Sequence, residues 1–332
     1  MLYEESIKNF PNQLLFSPKI ANAGNLPFPS PNSFIVAGTG GSALAADILK
    51  VWEPELDLVV HRDYELPPFP KEKSDNKKYF FVASSYSGNT EETLDAFEEA
   101  LRTKLSVAAI STGGELLKRA REEKIPYIQM PDTGIRPRSA IGFNVKSLLA
   151  IMRKEDEMKK LEALSARLSV SEAEKKGREI AENLHGYFPV IYSSNKNAPI
   201  ARGWKTYFNE TGKIAAYTNV FPELNHNEIM GFDFTTSATA PRQPFLVIML
   251  EDKSDHPRVM ERMRLTANLY RERKIPVINF ILDGESVWEK IFSALLVANW
   301  ASYYTAKNYR FDAEEEKTVE EFKKTIKRKR AR

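Results

Sequence analysis

Cysteine is absent from the 332 residues, which excludes disulfides, thiol nucleophiles and thiolate metal sites. No apolar run is long enough to span a bilayer. Residues 1–6 (MLYEES) lack both the basic start and the apolar core of a secretory signal, so a cytoplasmic location is the expectation. A true excess of positive charge is also missing, despite a formal net charge of +3. Residues 323–332 (KKTIKRKRAR) hold seven basic side chains and no acidic one; without them 41 basic residues face 45 acidic ones, a net of −4. The body is mildly acidic, and nowhere else are basic residues interleaved with exposed aromatics. The tail therefore reads as a solvated helix end, and neither a nucleic-acid partner nor a membrane is expected.

What is present suits a folded globular chain: 42% hydrophobic and 28% charged residues, in a length that accommodates two domains with substantial cores. Strand and helix signals alternate. Strands are expected at 33–37, 56–60, 79–83, 105–110 and 126–130, with helices from Ser42 to about Val51, from Glu91 to Thr103 and near 115–123. Buried strands alternating with helices imply a parallel sheet covered on both faces. A helical region over 139–185 follows, broken near 168–171, with Arg153–Lys160 too charged for a core. Strands at 189–193, 245–249 and 275–281 then alternate with helices from about Ile200 to Asn209 and from Pro257 to Arg273. An apolar helix over Val287–Tyr304 suits an interior or a subunit interface, and a last helix runs from Glu314 into the tail. The fold class is α/β, with two similar domains divided as 1–155 and 156–332.

Chemistry concentrates at a few turns. Ser84-Ser85-Tyr86-Ser87-Gly88-Asn89-Thr90 lies between a buried strand and an acidic helix, where first-turn N–H groups and the helix dipole favour an anion. Phosphate binding by Ser85, Ser87 and Thr90 is the preferred reading; the competing one is a capping box of Asn89 and Glu92. Gly38-Thr39-Gly40-Gly41-Ser42-Ala43 fits the loose pattern G-x-G-x-x-A. That pattern admits a dinucleotide, with Arg62 suiting NADP. It also admits a sugar or phosphate approached at Gly40 and Gly41 with Ser42 donating a hydroxyl, or a tight turn alone. The sugar reading ranks first, because two such loops would face one crevice.

Arg138 stands where a helix is expected to begin, against the dipole, so it is placed for a ligand or is a surface arginine. Glu210 falls in the last turn of a helix closed by Gly212. The dipole there raises its pKa, which suits a general base; a solvent-facing glutamate is the simpler alternative. His226 sits in Phe221-Pro222-Glu223-Leu224-Asn225-His226-Asn227-Glu228, as an acid/base group held by neighbouring amides or as an inert loop histidine. With no second His or Cys at ligand spacing, no metal is expected.

Taken together, GTGGSALAADIL (38–49), RDYELP (62–67), SSYSGNTEETL (84–94), IRPRSAIGF (135–143), NETGKIAA (209–216) and FPELNHNEIMGF (221–232) resemble the bifunctional phosphoglucose/phosphomannose isomerases of the sugar isomerase (SIS) domain superfamily. The resemblance implies two SIS-type, flavodoxin-like domains and a homodimer with active sites shared between subunits. It implies an aldose–ketose isomerase acting on glucose 6-phosphate or mannose 6-phosphate and fructose 6-phosphate through a cis-enediol, without metal or redox cofactor. Phosphate binding would fall to Ser42, Ser85, Ser87 and Thr90. Arg138 would stabilise the charge of the intermediate, Glu210 would move the proton and His226 would assist ring opening. The family also uses a lysine of the C-terminal helix, matched here by Lys323, which borders the apolar stripe Val319, Phe322 and Ile326. The chain departs from the family at Asp312–Glu316, where a proline-rich turn is common, and in its basic tail. A sugar-phosphate sensor without turnover is the alternative from another class.

Overall fold

A computed structural model describes residues 3–27, 31–68, 79–236 and 244–330. The chain opens with helix α1 (Tyr3–Lys8), a 3-10 turn over Phe10–Leu15 and strand β1 (Ile20–Ala21). Then come β2 (Ser33–Ala37), α2 (Gly40–Trp52), β3 (Asp57–His61), β4 (Tyr79–Ser84), α3 (Glu91–Arg102), β5 (Ser106–Ser111), α4 (Gly114–Glu122) and β6 (Tyr127–Gln129). Helices α5 (Ile141–Ile151), α6 (Glu155–Ser165) and α7 (Val170–Asn183) lead to β7 (Phe188–Ser194), α8 (Ala198–Glu210) and β8 (Tyr217–Phe221). The remainder is β9 (Phe245–Glu251), α9 (Pro257–Glu272), β10 (Val277–Ile281), α10 (Val287–Asn308) and α11 (Lys317–Arg330).

The first sheet has the order β1-β6-β5-β4-β2-β3, parallel except for β1 against β6. Its order reverses between β2 and β4, paired in register from Ser33–Tyr79 to Ala37–Ala83. The second sheet, β10-β9-β7-β8, is parallel throughout and reverses between β7 and β9. In open α/β sheets a crevice opens beyond the strand ends at such a reversal.

Helices α3 and α4 cover the outer face of the first sheet through Phe97, Leu116 and Leu117. Helix α9 covers the outer face of the second through Met263 and Tyr270. Between the sheets lie α2, α5, α8 and α10, whose side chains join both inner faces into one continuous core. This shared layer accounts for their composition. A helix touched by protein all round has no polar face, and every residue of α5 is buried. Surface helix α3 instead buries one stripe, Thr93, Ala96, Phe97 and Ala100.

The structure departs from the sequence expectations at four places. The helical region breaks twice, because Arg153 turns left-handed (φ 55°) where buried α5 must give way to the charged α6. Strand β8 was not anticipated; it is an edge strand with one fully buried residue, Phe221, and so carries little apolar signal. The last helix begins at Lys317 rather than Glu314, leaving 312–316 as a crossing with a turn at 313–314. The N-terminal segment, unread in the sequence, sends Tyr3, Ile7, Phe10 and Leu14 into the central core. It is locked there by Lys146, whose buried ammonium donates to Leu14 O (2.9 Å) and Glu162 Oε1 (2.7 Å). Among the described residues no helix is long and apolar enough to cross a membrane.

Candidate active site

A cleft of about 750 Å³ opens at the β2/β4 reversal. Its walls include Gly40, Gly41, Ser42, Ser87, Thr90, Arg138, Glu210 and Lys323, residues drawn from both halves of the chain.

The phosphate-type loops form two of the walls. The loop after β4 is held by its own hydroxyls: Ser85 Oγ lies 2.9 Å from Thr90 Oγ1 and accepts from Gly88 N at 3.1 Å. Ser85 is buried beneath the loop, while Ser87 and Thr90 reach the cleft. The capping-box alternative fails. Thr90, not Asn89, is the N-cap of α3, and no side chain caps that helix. Asn89 Oδ1 is turned instead to Glu115 N at the start of α4 (3.1 Å). Helix α2 likewise starts at the cleft without a side-chain cap. Two helix starts without side-chain caps thus converge where the dipoles favour an anion.

The two glycines of the first loop do different jobs. Gly40 adopts φ +52°, and an added Cβ there would meet nothing within 4 Å. A Cβ on Gly41 would stand 2.5 Å from Pro137 O, so Gly41 lets the start of α2 pack on the turn that carries Arg138. Its close approach is therefore to protein backbone, where the sequence suggested a ligand. Arg62, the residue that would suit NADP, is ion-paired with the buried Asp47 of α2, which Arg202 also contacts.

Arg138 is almost wholly buried, not a surface arginine. Its Nε donates to Thr211 Oγ1 (2.9 Å), its Nη2 to Ala313 O (2.8 Å), and its Nη1 to Glu316 Oε1 (2.5 Å) with Glu210 Oε2 at 3.4 Å. The guanidinium also lies 5.3 Å from the centre of the Tyr3 ring. Tyr3 Oη in turn bonds Thr211 Oγ1 (2.6 Å) and Asn299 Oδ1 (2.8 Å). Gln13 braces the same turn, donating to Ser139 O (2.6 Å) and accepting from Gly142 N (3.0 Å).

Glu210 ends α8 and opens onto the cleft. Burial pushes its carboxyl above the ordinary range, with Glu316 adding to the shift and Arg138 opposing it. The direction matches the sequence expectation, but burial is the leading cause. Gly212 follows the C-cap Thr211, as expected, but the left-handed residue is Lys213 (φ 56°), whose Nζ donates to Glu210 O at 2.6 Å. A Cβ on Gly212 would stand 2.8 Å from Phe208 O.

Lys323 lines the cleft from α11 and is exposed. His226 is not among the residues around the cleft. It is exposed at the end of a 3-10 turn over Glu223–His226, following a cis Phe221–Pro222 peptide. The neighbouring amides turn elsewhere, Asn225 to Thr266 Oγ1 (2.9 Å) and Asn227 to Glu223 Oε1 (2.8 Å). The loop is nonetheless firmly fixed. Leu224 is in the outer core, and Glu228 accepts from Tyr192 Oη (2.5 Å) and from Asn219.

Tyr3, Thr211, Lys213 and Glu316 were missed in the sequence. A buried arginine demands a counter-charge, and the acidic run 312–316 was the available signal for Glu316.

The reversal in the second sheet is closed by its own side chains. Ser194 Oγ donates to Asp255 Oδ1 (2.8 Å), and Lys290 donates to Asp252 Oδ1 (2.7 Å). Against the cost of burial, hydrogen bonds from Lys290 and Ser254 bring the Asp252 carboxyl down to about 2. Asp252 is ion-paired there with Lys290 and with Lys196 (3.7 Å), so the second reversal is occupied by its own charged side chains and is not equivalent to the first.

Residues 173–326 match the family described as the bacterial phospho-glucose isomerase C-terminal SIS domain. The bifunctional phosphoglucose/phosphomannose isomerase of Caldicellulosiruptor bescii is 32% identical over 97% of this chain and 98% of that protein. The enzyme of the same name from Aquifex aeolicus is 31% identical over 89% of this chain and 90% of that protein. The solved structure of tagatose-6-phosphate ketose/aldose isomerase from Escherichia coli aligns with a TM-score of 0.66 at 16% identity, covering 94% of each chain, and so shares the fold.

Proposed function

This chain belongs to the bifunctional phosphoglucose/phosphomannose isomerase family, and on that premise we propose that it interconverts glucose 6-phosphate, mannose 6-phosphate or both with fructose 6-phosphate. The observation that carries the reading is one cleft holding both an anion cradle and a carboxylate–arginine pair: the uncapped starts of α2 and α3 at one wall, Glu210 and Arg138 at another.

Each part has a chemical task. Ser42, Ser87 and Thr90, with the adjacent backbone N–H groups and Ser85 as the internal brace, hold the phosphate away from the reacting carbons. Glu210 takes the proton from C1 of the open-chain ketose and returns it to C2, through a cis-enediol. A carboxylate with a raised pKa is the stronger base for that step. Arg138 stands beside it to offset the negative charge that develops on the enediol oxygens. Lys323, at the rim, adds a second cation.

Ring opening needs an acid/base group, and His226, which the resemblance implies for it, is not among the residues around this copy of the cleft. We assign it to His226 of a second copy in a homodimer with shared active sites. A firmly anchored loop with an outward imidazole suits that use. Two SIS-type domains, 1–155 and 156–332, sharing the helical layer, and a cytoplasmic setting complete the reading.

The test is purified protein with fructose 6-phosphate, followed for both aldose phosphates. Product formation supports the isomerase. Thermal stabilisation by fructose 6-phosphate without product would make the protein a sugar-phosphate sensor.

A further inference from the structure

The Arg138 guanidinium meets two carboxylates through one nitrogen. Nη1 lies 2.5 Å from Glu316 Oε1 and 3.4 Å from Glu210 Oε2. Glu316 also reaches Arg136 (3.7 Å), so two arginines hold it over the cleft. It comes from the 312–316 crossing, which is further pinned by Ala313 O on Arg138 Nη2 and by Glu315 O on Lys213 Nζ. Glu210 has no other arginine within salt-bridge distance among the described residues. A tight Arg138–Glu210 pair would be an inert arrangement for a base, since a carboxylate neutralised by a guanidinium at full contact holds protons poorly.

Resting on the isomerase reading above, we infer that Glu316 is a positioning residue: it takes up the close contact of Arg138 Nη1 and leaves the Glu210 carboxylate free to accept a proton. Arg138 stays beside the reacting carbons, because Thr211 and Ala313 hold its other two nitrogens. The like charge of Glu316 acts on Glu210 in the same sense. The other titratable groups at the cleft near Glu210 are Tyr207 within α8, Lys213 beyond its end, and Asp312 and Glu315 from the crossing. Lys317 and Lys323 face it from α11, and Tyr3 stands behind Thr211 on α1. Among the described residues, only Glu316 shares with Glu210 the Nη1 nitrogen of Arg138.

The experiment is a titration of the Glu210 carboxyl by 13C NMR in protein carrying labelled glutamate, with the resonance assigned by its loss in Glu210→Gln. Wild type, Glu316→Gln and Glu316→Asp are compared, and the pH profile of kcat/KM for fructose 6-phosphate is recorded beside them. Glu316→Gln keeps the shape and removes the charge. It should lower the Glu210 midpoint by roughly one unit, move the acid limb of the profile the same way, and reduce kcat by about 2- to 5-fold. Glu316→Asp, which keeps the charge, should stay closer to wild type than to Glu316→Gln. A Glu210 midpoint that is the same in wild type and Glu316→Gln overturns the inference even if the protein is an active isomerase. Wild type without turnover overturns the isomerase reading, while the carboxyl titration still decides what Glu316 does to Glu210.

Discussion

Tyr3 Oη lies 2.6 Å from Thr211 Oγ1, which joins the first helix of the chain to the residue directly after Glu210. Because Thr211 also accepts from Arg138 Nε, one hydroxyl ties the end of α8, where the proposed base Glu210 stands, to the guanidinium. Tyr3→Phe removes the bonds to Thr211 and Asn299 and leaves buried polar atoms unmatched. It should cost about 1–3 kcal/mol of stability in urea unfolding. It should also lower kcat about 3- to 10-fold as Arg138 loosens. An unchanged kcat would limit Tyr3 to a structural role.

The raised pKa of Glu210 has a definite sign in activity. Turnover needs the ionised form, so kcat/KM falls on the acid side with a midpoint above 4.5, the ordinary value for this carboxyl. A profile flat down to that value would remove Glu210 as the base.

The same shift has the opposite sign in stability. The folded state binds this proton more tightly than the unfolded chain, so an ionised Glu210 costs stability above its folded pKa, and the cost vanishes at low pH where both states are protonated. Glu210→Gln should therefore raise Tm slightly at neutral pH while turnover falls roughly 100-fold or more. Parallel Tm scans at pH 4 and pH 7.5 check it: the difference between variant and wild type should shrink at the lower pH.

Ser87→Ala and Thr90→Val each remove a hydroxyl from the anion wall. Both should raise KM by about 3- to 30-fold and weaken inorganic phosphate binding in parallel, with kcat changed less. Altered kcat at constant KM would place these hydroxyls elsewhere in the reaction.

Gly41→Ala tests the packing that aims Arg138. The added methyl would stand 2.5 Å from Pro137 O and 3.2 Å from Arg138 Cα. Pushing that turn back by a fraction of an ångström to 1 Å should reduce kcat/KM by about 10- to 100-fold. The expected stability loss is about 1–3 kcal/mol. Wild-type kinetics in the variant would show that the turn tolerates displacement.

The contrast between what was legible in the sequence and what was not follows sequence distance. The loops at Gly40–Ser42 and Ser85–Thr90 were legible because strand, turn and helix signals lie side by side, and the order of the strands then brings both to one reversal. The raised pKa of Glu210 is readable only in direction, since its leading cause, burial, is a tertiary property. The contacts that organise the site join residues far apart: Arg138 to Glu316, and Tyr3 to Thr211 and Asn299. No local pattern announces such pairs. Lys213 escaped for a different reason: a lysine in the left-handed region at a helix end has no compositional mark when a glycine stands beside it. The second sheet repeats the strand order of the first around its own reversal, yet there Asp252 and Asp255 are engaged by Lys290, Lys196 and Ser194.

In the proposed mechanism Glu210 carries the proton in a sugar-phosphate isomerisation. Its most direct test is the initial rate of aldose phosphate formation from fructose 6-phosphate, measured side by side for wild type and Glu210→Gln at saturating substrate and neutral pH. Wild type should form glucose 6-phosphate, mannose 6-phosphate or both steadily, and the variant should do so at a rate at least about 100-fold lower with substrate binding retained. Equal rates in the two proteins would contradict it.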